Sequence, residues 1–267
     1  MKLYTRDYTE LTDDELAEWK AIQQSELVNK IGDLEIKKSR FSEYPKAARH
    51  FDSLFPNNYL DPVELRDVER LTKQLNQFRD VLDSNDVTER TILNFINGQQ
   101  TYFIIASVLK KYFHFGHHDA FLFPEFPLGN SYQVDYLLVG RSSGGWDFVL
   151  VELEAPSGQI TLKNGELGSV FRKGIEQVKD WDVWLQAHYS SIKETFDKYR
   201  RGSESLPDEF FVLDKSRMNF VVVAGRRSDF KEKTYRESRN MKASSALILH
   251  YDNLIDASEN IIGQSTY

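Results

Sequence analysis

Tyr132-Gln133-Val134-Asp135-Tyr136-Leu137-Leu138-Val139 and Phe148-Val149-Leu150-Val151-Glu152-Leu153-Glu154 are the stretches that decide the fold. Both are rich in aromatic and β-branched residues and are joined by the turn Ser142-Ser143-Gly144-Gly145, so they read as successive strands. Each also carries acid. Burying an unpaired charge is costly, so carboxylates inside such runs are expected to be paired or to face a cation. Glu152 and Glu154 point to one face, because the side-chain period of a strand is two. Two neighbouring strands that each place an acid at one edge could grip a divalent ion such as Mg²⁺ or Mn²⁺. Such an ion lowers the pKa of bound water and polarises a phosphate, which is what phosphodiester hydrolysis needs. Asp135 and Glu152, helped by the Leu153 carbonyl, would be the ligands. The alternative is a set of strand-end acids paired with Lys or Arg.

Outward from these runs, Ala120 to Phe126 reads as a preceding strand, and short connections predict an antiparallel meander. Pro156 cannot extend a central strand, so the third strand ends at Glu154. Val170, Ile175, Val178, Trp181 and Leu185 predict an amphipathic helix, and His188 to Arg201 a further one. Met218 to Ala224 and Ala246 to Tyr251 read as strands, followed by a short C-terminal helix. Upstream, Thr12-Asp13-Asp14-Glu15 is a capping box, and Leu16, Trp19, Ile22 and Leu27 follow at helical spacing. Ser42 to Asn58 reads as a loop with short helical turns. Asp61-Pro62 starts a helix whose apolar stripe runs from Val63 to Leu82. Asp83-Ser84-Asn85-Asp86 breaks the pattern. The predicted division is therefore a helical region, 1–85, suited to regulation or oligomerisation, and an α/β domain, 86–267. In that domain a helix from Thr88, bent or ended at Gly98, and another from Tyr102 to Tyr112 precede the strands.

The 267 residues are 40% hydrophobic, enough for a full core, and no run reaches the length of a membrane span. The N-terminus lacks the apolar core of a signal peptide, and there is no cysteine for disulfides or thiolate metal sites. A cytoplasmic protein with no membrane partner is expected. A net charge of -7 argues against coating nucleic acid by bulk attraction. Between Lys215 and Lys242, however, nine Lys/Arg face only Asp229, Glu232 and Glu237. That stretch is either a phosphate-facing surface or a solvated basic helix face.

The αβββαβ order, with Asp135 on the second strand and Glu152-Leu153-Glu154 on the third, resembles the PD-(D/E)xK nuclease superfamily. Val151-Glu152-Leu153-Glu154-Ala155-Pro156, followed by Gly174-Ile175-Glu176-Gln177-Val178-Lys179-Asp180-Trp181, resembles more closely the C-terminal domain of Shedu anti-phage proteins. The resemblance covers roughly Asp86 to Ala224. It implies a restriction-endonuclease-like core with a mixed central sheet and Mg²⁺-dependent cleavage of DNA in phage defence, often in a homo-oligomer. Residue by residue, it implies that Asp135 and Glu152 are the metal ligands. Glu89 becomes an extra ligand or water-positioning acid, and Gln177 the helical residue that approaches the active site. The sequence departs from the pattern in two places: no proline precedes Asp135, and Glu154 stands where the superfamily usually has Lys. Glu154 could serve as base or second-metal ligand, with Lys163 or Lys173 supplying the missing charge. A site degenerate in catalysis, binding nucleic acid or a partner protein, is the competing reading. Arg226 and Arg227, with Lys163, are the candidate contacts to the nucleic-acid backbone. Glu89 also suits a helix start as a dipole complement, and Gln177 a packing role.

His114, His117 and His118 invite a metal reading, but their spacing lacks the i, i+4 pair of zinc peptidases, and Gly116 favours a turn. No P-loop, Gly-x-Ser-x-Gly or cysteine nucleophile is present.

Overall fold

The structure, a computed structural model, describes residues 3–31, 34–244 and 246–267. Its centre is a mixed five-stranded sheet. Three strands form the predicted antiparallel meander: β3 (Asp119–Leu128), β4 (Tyr132–Ser142) and β5 (Gly145–Leu153). β6 (Met218–Val223) and β7 (Leu247–Leu249) then add in parallel, giving the order β3-β4-β5-β6-β7. Parallel neighbours need long crossovers. The first contains α6 (Ser169–His188) and α7 (Ile192–Asp197), and the second contains α8 (Glu232–Ser244).

The pleat sorts the strand residues onto two cores. Val149, Val151 and Leu153 of β5 join a cluster with α3 (Val68–Leu82), α4 (Glu89–Gln99), α5 (Phe103–Val108) and α9 (Tyr251–Ile261). Phe148 and Leu150 join the other, with Phe171, Ile175, Val178 and Trp181 of α6. Glu152 shares their parity and therefore emerges on the α6 face. The upstream residues are built into the same cores: Leu71, Leu75 and Phe78 pack into the first, Phe55 and Tyr59 into the second. Tyr59 bridges Phe121, and Leu60 N–H donates to Ala120 O at 2.9 Å, so the outer edge of β3 is covered.

Several expectations are revised upstream. The helix after Thr12, α1 (Asp13–Ser25), has its capping box, but it stops before Leu27. Leu27 instead opens a hairpin of β1 (Leu27–Ile31) and β2 (Leu34–Lys37). The stretch read as a loop holds α2 (Lys46–Phe51). The helix expected from Pro62 is a 3₁₀ turn, Pro62–Arg66, followed by α3, because Asp67 caps a fresh start by accepting from Arg70 N–H. Gly98 lies inside α4, which ends at Gln100 in a left-handed conformation. The helix expected over His188–Arg201 is a 3₁₀ turn followed by the short α7. Tyr251, expected to end a strand, begins α9.

Candidate active site

The β4–β5 ladder ends with Tyr136 opposite Val151, one step inside Asp135 and Glu152. The two acids thus sit side by side where the strands part. The cause lies partly across the sheet. β3 and β4 pair on both sides of Glu125, but Glu125 itself has φ +51° and interrupts the ladder beside Asp135. Such irregularities in a strand re-aim side chains. Asp135 Oδ2 accepts from Leu153 N–H at 2.8 Å, which ties the two strand ends together.

Glu152 and Glu154 are almost fully buried, at 3% and 2% exposure. Glu152 Oε2 and Glu154 Oε1 have no hydrogen-bond partner. Buried polar atoms are normally satisfied, so these orphans ask for a donor or a cation. The backbone of Glu154 is held at both ends: its N–H donates to Val223 O at 2.8 Å, and its carbonyl accepts from Tyr251 OH at 2.7 Å. Gly174 lets α6 approach, since a Cβ there would lie 2.7 Å from Val222 Cγ1 and 3.0 Å from Glu154 Cγ. That approach delivers Lys173. Its Nζ donates to Glu154 Oε2 at 2.9 Å and stands 3.8 Å from Glu89 Oε2. A lysine ammonium therefore occupies the neighbourhood of Glu154, supplied by the helix instead of the strand.

The electrostatics follow from crowding acids in a dry site. Burial pushes the Asp135 carboxyl up to about 7; Leu153 N–H opposes this, while the charges of Glu89 and Glu154 add to it. Burial, then Asp135, pushes Glu152 strongly upward. Glu154 is also raised, because desolvation outweighs the bond from Lys173. Lys173 loses some stability of its charge to burial, yet Glu154 and Glu89 hold its pKa above the usual value. Like charges held this close favour a bound cation, which would remove the repulsion. Asp135 and Glu152 are the residues that could hold one. Among the described residues, no group of three or more His, Cys, Asp or Glu is gathered as a metal site. Mg²⁺ keeps several waters and is commonly held by one or two carboxylates, so the pair is a sufficient donor set.

The other candidates fall at varying distances from this centre. Thr88 caps α4 by accepting from Thr91 N–H, leaving the Glu89 carboxylate to face Lys173. Gln177 is half-buried one turn beyond Lys173 and makes no hydrogen bond to the acids. Lys163 is exposed in the loop before α6, where its carbonyl accepts from Lys231 Nζ. Arg226 is committed to Asp83, Asp252 and Leu82 O. Arg227 pairs with Asp256 but remains largely exposed. The basic stretch is divided: Lys215 pairs with Asp182 at one end of β6, and the arginine pair lies beyond the other. The histidines lie in the connection before β3, where Gly116 has φ +103° and His118 Nε2 approaches Ser143 at 3.4 Å. Tyr251 and Gly174 were not singled out as site residues. A glycine within a helical apolar pattern was the available signal for Gly174; nothing local marks Tyr251.

The fold thus sets an acid pair at parting strands of a mixed sheet flanked by helices. Residues 86–255 match the family described as Shedu protein SduA, C-terminal, a family of anti-phage proteins, and the chain belongs to it. No curated protein and no solved structure matches the chain. Among the described residues, no helix is long and apolar enough to cross a membrane.

Proposed function

We propose that this protein is a Mg²⁺-dependent deoxyribonuclease of anti-phage defence, with a PD-(D/E)xK-type, restriction-endonuclease-like core. The observation that carries this reading is Lys173 Nζ, 2.9 Å from Glu154 Oε2. It restores a cation beside the acids where Glu154 stands in place of the superfamily's usual Lys. Asp135 and Glu152 would hold the metal, Mg²⁺ or Mn²⁺. When bound, it supplies Lewis acidity to the phosphate and acidifies a water ligand. Glu154 presents the unpartnered Oε1 to accept a proton from the attacking water. Lys173 faces the charge that develops on the phosphate, and its contact with Glu89 keeps it over the site. Gln177, one turn on, would orient water or phosphate, while Lys163 and Arg227 would meet the DNA backbone. Arg226 would bear on DNA through Asp252, which it grips and whose Oδ2 accepts from Arg227 N–H. Residues 1–85 would serve regulation or homo-oligomer formation, in a cytoplasmic protein.

The test is cleavage of plasmid and linear DNA with Mg²⁺, Mn²⁺ or EDTA, beside Asp135→Ala and Lys173→Met. Metal-dependent cutting lost in both variants is the expected result. No cutting of either substrate under any metal condition would overturn the reading. A second reading, a nuclease-fold module that binds nucleic acid or a partner without cutting, is favoured by the lack, among the described residues, of three or more His, Cys, Asp or Glu arranged to hold a metal. A DNA gel shift that survives Glu152→Ala, without cleavage by the wild type, would select it.

A further inference from the structure

We propose that the cleft between the start of β6, the edge of β7 and the middle of α6 binds a mononucleotide. Its volume is about 370 Å³. That is at the lower end of small-molecule sites, which run from about 300 to 1,000 Å³ and combine an apolar lining with a few polar groups. Val178, Met218, Phe220 and Leu247 supply an apolar wall for a base. Lys179, Lys215 and Lys242 stand around it against one acid, Asp182. Asp182 is already satisfied by Lys215 Nζ at 2.9 Å and Gln186 Nε2 at 3.1 Å. Lys179 and Lys242 are exposed and have no carboxylate partner among the described residues. A local excess of positive charge on a chain of net charge -7 selects an anion.

Asn219 adds a directional element. Its Nδ2 donates to Phe148 O at 3.2 Å and Arg217 O at 3.3 Å. The amide is thereby oriented, leaving Oδ1 as the acceptor of a residue that lines the cleft, suited to the exocyclic amine of a base such as adenine. An apolar wall, an amide acceptor and a cationic mouth together match base and phosphate in one ligand. The cleft is separate from the acids. Met218 and Val222 are four strand residues apart, about 13 Å. Along α6, Lys173 and Lys179 are about 9 Å apart. One rigid helix nevertheless spans both sites, so a ligand at the cleft bears on the element that carries Lys173.

The experiment is calorimetric titration of the full-length protein with AMP, alongside inorganic phosphate and adenosine, and a thermal melt with each. AMP should bind saturably and raise the melting temperature. Phosphate and adenosine, each lacking half of the recognition, should bind at least about tenfold more weakly. Lys179→Glu and Lys242→Glu should each weaken AMP about tenfold or more, the loss expected for one hydrogen bond to a charged group, while Lys242→Arg retains it. Absence of both saturable heat and thermal shift with AMP would overturn the proposal. So would AMP affinity unchanged in the two glutamate variants. Neither readout needs cleavage, so failure here is distinct from failure of the nuclease reading.

Discussion

Replacing Gly174 by Ala tests the contact that brings α6 to the acids. In a helix interior this change normally stabilises by about 1 kcal/mol. Here the new Cβ would stand 2.7 Å from Val222 Cγ1 and 3.0 Å from Glu154 Cγ, well inside van der Waals contact. Val222 is fully buried in β6, so relief requires α6 to move outward. Overpacking of this kind costs about 1–3 kcal/mol. The net effect is destabilisation of up to about 2 kcal/mol, instead of the usual gain. Val222→Ala alone should cost about 2 kcal/mol through lost methyl burial. If the two side chains compete for one space, the double variant will be more stable than the sum of the singles by about 1 kcal/mol or more. Urea unfolding of the four proteins at constant m measures this. Cleavage should fall in Gly174→Ala, as Lys173 is carried away from Glu154, and recover in the double variant. A Gly174→Ala protein stabilised by the usual gain of about 1 kcal/mol, or strictly additive energies, would refute the close approach.

Lys173→Met should lower metal-dependent cleavage by about 10² or more; Lys173→Arg should retain part of the rate. In thermal melts, Mg²⁺ at about one hundred times its Kd should stabilise the wild type by about 2.7 kcal/mol, and Asp135→Ala should show no such response. Arg49 and Asp61 form a buried pair at 2.7 Å, so Arg49→Met should cost about 3–5 kcal/mol by stranding the carboxylate; a loss under about 1 kcal/mol would show that Asp61 finds other partners. Burial lowers His50 from 6.5 to about 4. Because its folded pKa is depressed, the stability it contributes is present above about pH 6.5 and lost as pH falls toward about 4, by up to about 3 kcal/mol. His50→Asn should lower stability at neutral pH but flatten that acid slope, and an unchanged slope in pH-dependent unfolding would exclude His50 as its source.

The strand meander, its two acids and α6 were legible because the relevant signals are local. Period-two burial, Pro156 as a stop and the spacing from Val170 to Leu185 are fixed by neighbours along the chain. What failed was set by competition over one or two residues. Asp67 caps a new helix and cuts the Val63–Leu82 stripe, although the apolar positions on both sides remain helical. Leu27 continued a helical pattern but pairs with Lys37 across a hairpin. In the site, Asp135 and Glu152 announced themselves as acids in apolar runs. In the sequence Lys173 is one of two lysines, with Lys163, that could supply the charge missing at Glu154. Its meeting with Glu154 depends on the packing distance of α6, which Gly174 sets. Tyr251 carried no local signal, because its role is a hydrogen bond to a carbonyl 97 residues away in sequence.

The two backbone hydrogen bonds at Glu154, with Gly174 against its Cγ, mean that the acid's location is decided during folding and not when substrate arrives. Its main chain has surrendered its freedom already, so little ordering entropy is left to be lost in the reaction complex of the proposed nuclease. The same fixation removes adaptability. An aspartate at 154 would withdraw the carboxylate by one methylene, and a main chain held by Val223 and Tyr251 cannot advance to make up the difference.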